Sequence, residues 1–395
     1  MCSKVAFAKK NVGADTRVCT DFISMKGQVN TMRIHCDYAG GNIKVLSVDE
    51  TTVKLEQDIR DSQEWWFYWN FCVEGAENKE IVFEFANGEV LGPWGPAFSN
   101  NGVTWHWAGS GSLLSRSSFK YQFSCHDKQV FFSFSIPYQV ERFKNFCIKK
   151  DVSSLFDCSS LTVSEQGRTV DLIVFGNRNA KKDILLTCRH HACESTASYV
   201  LEGLLEYFLQ NIDSPMLKGH TVHCIPFVDI DGVENGDQGK ARRPHDHNRD
   251  YINEPIYKFT SAIMDYIKEL NLAVALDFHS PWKWGGRNDY VFFVKRPSPI
   301  KEELEAYSKF LEYATVSIES EDKITYDSAN DIDADVEWNS SNFPEFRTYC
   351  EKMGAKLCCS IEIPYFGVES AICTEKSLLR LGEGFAKSLE SYLGL

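Results

Sequence analysis

The apolar run Ile184-Leu185-Leu186-Thr187-Cys188 stops at Arg189-His190-His191-Ala192-Cys193-Glu194, and a helical pattern with Val200, Leu201, Leu204, Leu205, Phe208 and Leu209 on one face follows at once. A buried strand that turns directly into a helix is a building unit of an α/β sheet. Its turn opens at the carboxyl edge of the sheet, where ligands collect in open α/β folds. That turn carries His191 and, three residues on, Glu194. An imidazole nitrogen and a carboxylate oxygen so placed can aim at one point, and the donor pair suits Zn²⁺. The spacing alone is common in a chain of 395 residues, where a surface histidine near a glutamate is the plainer reading. A third ligand elsewhere in the chain is what decides between them.

Length and composition set the frame for that search. The chain is long enough for two domains, each with its own core. Apolar residues make up 43% and charged ones 25%, an ordinary globular balance. A net charge of −13 with no long Lys/Arg block speaks against nucleic acid or an anionic membrane as partner. The N-terminus Met1-Cys2-Ser3-Lys4 shows no signal-peptide apolar region, and no stretch is long and apolar enough to span a bilayer. The 14 cysteines lack framework spacing, and Cys358 and Cys359 lie in a strand-like run, which fits buried reduced thiols. Together these observations place the protein in the cytosol.

Two textures divide the sequence. Residues 1–30 show no period and are expected to be an irregular lead-in. From Met32 to about Pro137, short runs of period two alternate with turn residues: Trp65 to Phe71, Ile81 to Phe85 and Val130 to Ile136, punctuated by Asn87-Gly88 and Gly92-Pro93-Trp94-Gly95-Pro96. This predicts an antiparallel β-sandwich domain over 1–150, with its large aromatics filling the core rather than forming a binding surface. After Tyr138, strands and helices alternate, which predicts an α/β domain over 151–395 with a mixed sheet flanked by helices. Its strands are expected at Asp171 to Gly176, Ile184 to Cys188, Thr221 to Val228, Leu272 to Phe278 and Leu357 to Ile363. Helices are expected from about Glu254 to Leu270, Lys301 to Ser320 and Thr374 to Leu393. Residues 320–348 lack a period and carry six acidic residues between Asp327 and Glu345, the profile of a long active-site loop.

The third ligand comes from the buried strand Leu272 to Phe278, which delivers His279 at its carboxyl end. His191, Glu194 and His279 then make a zinc set with one open position, the pattern of a catalytic site. His220 and His223 point to opposite faces of one strand. His245 and His247 share a face if extended, but nothing nearby supplies a third ligand. The loop Gly239-Lys240-Ala241-Arg242-Arg243-Pro244-His245-Asp246-His247-Asn248-Arg249 is rich in groups that grip anions, carboxylates above all. On the late strand, Glu362 points away from the face shared by Ile361 and Ile363. A lone carboxylate among apolar residues is costly without a partner or a task, and beside a zinc site it can act as general base.

With these residues in place, the chain resembles the zinc carboxypeptidases of the carboxypeptidase A superfamily, in their cytosolic carboxypeptidase-like branch. The likeness rests on His191-x-x-Glu194 with His279, on Asp246-x-Asn248-Arg249, and on Glu362. Asp37-Tyr38-Ala39-Gly40-Gly41-Asn42-Ile43, Glu64 to Trp69 and Ser135-Ile136-Pro137-Tyr138 extend it to the β domain that precedes the catalytic domain in that branch. The resemblance implies one zinc ion, Glu362 as the proton carrier, and Asn248 and Arg249 on the substrate's terminal carboxylate. It further implies Asp246 orienting His191 from behind, and Arg242, with Arg243 as the alternative, on the tetrahedral oxyanion. Asp229-Ile230-Asp231-Gly232 departs from the family's usual Asn-Pro-Asp-Gly, and Arg242 lies closer to Asn248 than the family pattern leads one to expect.

The expected function is a zinc metallocarboxypeptidase acting on peptide or protein C-termini, with acidic residues such as glutamate the preference implied by the branch. Arg347 is a candidate to meet an acidic side chain. Two other readings stand beside it: a zinc amidohydrolase cleaving N-acyl amino acids, and a non-catalytic binding protein with a structural zinc.

Overall fold

The computed structural model describes residues 32–62, 67–152, 155–296, 300–340 and 342–394. The lead-in over 1–30 and the Trp65-Trp66 pair lie outside the described residues. The first unit contains β1 (Arg33–His35), β2 (Lys44–Val48), β3 (Thr52–Glu56), β4 (Asn70–Glu74) and β5 (Glu80–Phe85). It continues with β6 (Ala97–Ser99), β7 (His106–Trp107), β8 (Leu113–Ser115), β9 (Ser118–Gln122) and β10 (Gln129–Ser133). These strands form two five-stranded sheets, in the orders β1-β4-β10-β6-β7 and β2-β3-β5-β9-β8. Pairing is antiparallel throughout, apart from a parallel β3/β5 pair. Alternation along β5 buries Ile81, Phe83 and Phe85, and Trp69, Phe71, Phe119 and Phe132 close over them with no exposed surface. Phe83 and Phe119 stack at 4.9 Å. The described aromatics of this unit therefore serve mainly as its core.

The second unit opens with α1 (Val140–Lys149), β11 (Asp157–Val163), β12 (Thr169–Gly176), β13 (Asp183–Cys188), α2 (Ser195–Gln210) and α3 (Pro215–Gly219). There follow β14 (Thr221–Ile225), α4 (Ile230–Asn235), α5 (Lys258–Lys268), β15 (Leu272–His279), β16 (Phe292–Val294), α6 (Lys301–Val316) and α7 (Phe346–Lys352). β17 (Leu357–Glu362), the hairpin β18 (Gly367–Val368) and β19 (Ala371–Ile372), and α8 (Glu375–Tyr392) complete it. Seven strands form the mixed sheet, in the order β11-β12-β14-β13-β15-β17-β16. The four central strands run parallel, and the pairings β11/β12, β12/β14 and β16/β17 are antiparallel. All eight residues of β15 are buried, as expected for a parallel strand covered on both faces. Phe278 meets Phe385 of α8 at 5.4 Å; the alternation of the strand turns Asp277 and His279 the other way.

Two glycines let α2 and α8 cross at backbone distance. A Cβ at Gly203 would stand 2.1 Å from the Leu379 carbonyl oxygen, and one at Gly382 would stand 2.1 Å from that of Val200. The two units also share a core: Cys193, Tyr365 and Phe366 pack with the aromatics of the sandwich, Phe134 lying 5.1 Å from Tyr365. Helix α1, inside the first unit by the sequence boundary at 150, sends Val140, Phe143 and Phe146 into the core of the second.

One helix starts later than its periodicity predicts. The Asp250 carboxylate accepts the backbone N–H groups of Ile256 and Tyr257, both at 3.0 Å. This holds residues 254–257 outside the helix, and α5 begins at Lys258 with Ile256 exposed.

Candidate metal centre and active site

β13 and β15 are neighbours in parallel register, Cys188 opposite Phe278, so both deliver a histidine at the same edge. The turn after Cys188 needs a left-handed residue, and Arg189 takes it at φ 64°. Its buried side chain offsets that strain by donating from Nη1 to Tyr138 O at 2.8 Å and from Nε to Ala192 O at 3.0 Å. Glu194 occupies the N-cap position of α2 without capping it, which leaves both carboxylate oxygens for other partners. Oε1 lies 2.9 Å from His191 Nδ1 and Oε2 lies 2.9 Å from His279 Nδ1. His191, Glu194 and His279 thus bring their ligand atoms within 4.8 Å of one another. Two imidazole Nδ1 atoms and one carboxylate, all buried, make a donor set that fits Zn²⁺.

The far nitrogens of both rings face acids. His279 Nε2–H donates to Asp277 Oδ2 at 2.6 Å, and His191 Nε2 lies 3.4 Å from Asp246 Oδ1. The first contact leaves the His279 Nδ1 lone pair facing the metal position, as the tautomer of a liganding histidine requires. Burial tends to raise both acids' pKa values, yet the neighbouring histidines outweigh it and hold both well below the usual carboxylate range. Asp277 also accepts His190 Nδ1–H and Thr187 Oγ1–H, each at 2.8 Å. Asp277 is not among the site residues expected from the sequence. A carboxylate two residues before His279 on a strand is the signal that was there to be read.

Across the β15/β17 pair, Glu362 stands opposite His279. Burial raises its pKa, an effect that Lys240 and His279 oppose. Its Oε2 has no hydrogen-bond partner among the described residues. A cavity of about 920 Å³ opens over this point, lined among others by His191, Lys240, Asp246, Asn248, Arg249, His279 and Glu362. Trp282, Trp338, Phe343 and Glu345 also line it, so the segment expected to be an active-site loop does form part of the wall.

Asn248 and Arg249 sit on a 3₁₀ turn, His247–Arg249. The Asn248 amide nitrogen lies 3.2 Å from His279 Nε2, and its Oδ1 accepts Phe346 N–H at 3.1 Å. Arg249 lies over the Phe343 ring at 4.1 Å, 3.7 Å from Glu345. Glu345 pairs in addition with Arg296 at 2.5 Å and Arg347 at 3.0 Å. Arg347 is therefore buried behind Glu345 and does not line the cavity.

The two arginines expected at the oxyanion are placed elsewhere. Arg242 is enclosed by Asp61 at 2.7 Å, Asp229 at 2.9 Å and Asp237 at 3.2 Å. Arg243 is exposed, its backbone N–H bonded to Asp61 O at 3.1 Å. Neither lines the cavity. Of the cations that do, Lys240 reaches the ligand set, its Nζ lying 2.8 Å from Glu194 Oε1. His245 and His247 are also spoken for, the first by Asp250 at 2.7 Å and the second by Asp229 and Arg242. Among the described residues two further groups of possible ligands occur: the group His190, Asp277 and His279, which shares His279 with the first, and His35, Cys72 and Glu74 on the β1/β4 pair. There Arg33 already approaches the Glu74 carboxylate at 3.5 Å.

Comparison with known proteins agrees with this arrangement. Residues 147–260 match the zinc carboxypeptidase family model, Peptidase_M14. The chain carries a zinc carboxypeptidase domain, which bears out the family resemblance. Cytosolic carboxypeptidase 6 of Caenorhabditis elegans is 25% identical over 279 residues, covering 61% of this chain. The match spans 60% of the nematode protein's own length. A metallo-carboxypeptidase from Pseudomonas aeruginosa, solved with (2-guanidinoethylmercapto)succinic acid, superposes with a TM-score of 0.75. It is 18% identical, and the superposition covers 92% of this chain and 99% of that one. A metallo-carboxypeptidase from Burkholderia cenocepacia gives a TM-score of 0.74 at 17% identity, with the same coverage. At these identities the structural likeness concerns the fold.

Proposed function

We propose that this chain is a zinc-dependent metallocarboxypeptidase that hydrolyses the C-terminal peptide bond of peptides or proteins, with a preference for acidic terminal residues. The observation that carries the reading is Glu362. It faces the cavity beside His279 with one buried carboxylate oxygen unpartnered among the described residues, a costly arrangement in a purely structural site.

One zinc ion held by His191, Glu194 and His279 would supply Lewis acidity, polarising a carbonyl oxygen and acidifying water near neutral pH. Glu362 accepts a proton from the attacking water and delivers it to the leaving amine nitrogen. Arg249 and Asn248 hold the substrate's terminal carboxylate, the guanidinium matching it in charge and geometry. Asp246 and Asp277 keep the two imidazoles oriented. Trp282, Trp338 and Phe343 shield the reacting bond from bulk solvent.

The acidic preference is supported by the charge of one wall. Three guanidinium groups, of Arg249, Arg296 and Arg347, surround the single carboxylate of Glu345. That side of the cavity is left positive, although Arg347 acts from behind Glu345. A cytosolic setting is supported by the buried thiols of Cys188, Cys224, Cys358 and Cys359. Among the described residues no helix is long and apolar enough to cross a membrane.

The test is mass spectrometry of a panel of peptides with varied C-terminal residues, oligo-glutamate ends included, and of N-acyl amino acids, incubated with and without a zinc chelator. Chelator-sensitive loss of single C-terminal residues, fastest from acidic ends, is expected. If only N-acyl amino acids react, the protein is an amidohydrolase; if nothing reacts, the hydrolytic reading falls.

A further inference from the structure

We propose that Lys240, rather than Arg242, is the catalytic cation that stabilises the oxyanion of the tetrahedral intermediate. This rests on the hydrolytic reading above. Among the described residues, the Lys and Arg side chains lining the cavity are those of Lys240, Arg249 and Arg287. Arg287 is committed to the Asn330 carbonyl at 2.8 Å, to that of Asp331, and to Glu337 at 3.4 Å. Arg249 stands with Asn248 on the substrate-carboxylate side. Lys240 alone reaches the ligand cluster, its Nζ 2.6 Å from Ser280 O and 2.8 Å from Glu194 Oε1.

The loop geometry fixes that position. Gly239 takes φ 81°, and a Cβ there would stand 2.4 Å from the Ala192 backbone nitrogen, so only glycine lets the loop close on the ligand-bearing turn. Cys193 N–H donates to Gln238 O at 3.0 Å and locks the approach. Ala241, at φ 51°, then reverses the chain, so Lys240 faces the cavity while Arg242 faces the three aspartates. An ammonium has three N–H donors. Two are used by Ser280 O and Glu194, and the third is available to an oxygen in the cavity beside Glu362.

Through the reaction Lys240 keeps its proton. Water oxygen bonds to the carbonyl carbon, and the C=O electron pair moves onto the carbonyl oxygen, where the ammonium stabilises it by a charge-assisted hydrogen bond. Return of that pair expels the amine, which takes the proton held by Glu362. One C–O bond forms and one C–N bond breaks; the carboxylic acid passes the water's second proton to the amine, so the products leave as a carboxylate and an ammonium.

The experiment compares the wild type with Lys240→Met, Lys240→Gln and Lys240→Arg. It measures zinc content, kcat and KM on a cleaved peptide, and calorimetric affinity for a phosphinate peptide analogue and for a free product amino acid. Removing one oxyanion donor lowers kcat about 100- to 1,000-fold. That loss is expected for Met and Gln, with zinc retained and KM within about threefold. Phosphinate affinity should fall in step while product affinity holds, and Arg should recover at least about tenfold of the lost kcat. If Met fails to fold, Gln carries the same comparison. Near-wild-type kcat and phosphinate affinity in either neutral variant overturns the proposal. So does loss of zinc or of product binding in parallel with kcat, since Lys240 would then only balance the Glu194 charge. A wild type inert towards every peptide overturns the carboxypeptidase reading itself, and the oxyanion role with it.

Discussion

Replacing Asp277 by Asn separates an oriented zinc site from a chance cluster of ligands. The Asp277 carboxylate is fully buried and accepts from Thr187 Oγ1, His190 Nδ1 and His279 Nε2 at 2.8, 2.8 and 2.6 Å. The amide preserves the shape and keeps one acceptor oxygen, which two of these donors can share on the Oδ1 side. The other position becomes an NH₂ group set against His279 Nε2–H, donor against donor. Relief requires the His279 proton to move to Nδ1, the atom that faces Glu194 and the metal position. A hydrogen bond to a charged group contributes about 1.5–3 kcal/mol, and about 1.4 kcal/mol is one decade in an equilibrium constant. The zinc Kd should therefore rise by roughly 10- to 150-fold, in line with the ~10- to 100-fold typical of groups that orient metal ligands. The assay is competition for zinc against a chromophoric chelator at fixed pH, with far-UV circular dichroism confirming the fold. Asp183→Asn is the control, because Asp183 pairs with His223 at the other end of the sheet, at 3.1 Å, and should leave the Kd unchanged. A Kd for Asp277→Asn within about twofold of wild type would refute the positioning role.

Other perturbations have equally definite outcomes. Arg242→Met removes the partner of Asp229, whose side chain is 1% exposed, and should cost about 3–5 kcal/mol in urea unfolding; wild-type stability with kcat abolished would return the oxyanion role to Arg242. Gly203→Ala places a Cβ 2.1 Å from a backbone carbonyl of α8 and should destabilise by about 1–3 kcal/mol or more, so an unchanged urea midpoint contradicts the close crossing. His223 is held neutral, burial lowering its pKa against the opposing pull of Asp183. Its folded pKa lies below the unfolded value of about 6.5, so the unfolded chain binds more protons and stability falls as pH drops through that value. The melting temperature of wild type should thus decline more steeply between about pH 7.5 and pH 5.5 than that of His223→Gln; equal slopes would exclude His223 as the source.

How much of this was legible depended on whether a residue's direction follows from a local period. His191, Glu194 and His279 could be read because His279 ends one apolar strand and His191 and Glu194 lie on the turn that follows another, and strand ends in a parallel sheet share an edge. Glu362 stood out as a lone carboxylate on an apolar strand, and the segment over 320–348 as a loop too long and acidic to be mere connection. Asp277 escaped because its spacing from His279 gains meaning only once the facing His190 and the ring of His279 are placed against it. Arg242 could not be told apart from Lys240 as the expected oxyanion cation for a different reason. From Gly239 to Ala241 two left-handed residues flank Lys240, so neighbouring side chains in that loop point to unrelated places and no periodicity reports which. Charge-rich composition marked the loop correctly as part of the site, while the partition between Lys240 and Arg242 is set by aspartates as remote in sequence as Asp61. The late start of α5 has a similar origin, in a side chain of Asp250 that competes for the backbone N–H groups of the first turn.

The most direct measurement is a paired one on Glu362→Gln: zinc per chain by mass spectrometry of the metal, and cleavage of the peptide on which the wild type acts. With the metal held by His191, Glu194 and His279 and the proton carried by Glu362, the variant should bind one zinc ion per chain and leave the peptide intact. A zinc-loaded Glu362→Gln protein that trims the C-terminus at the wild-type rate would contradict the assignment of the proton carrier, and with it the reading of the whole site.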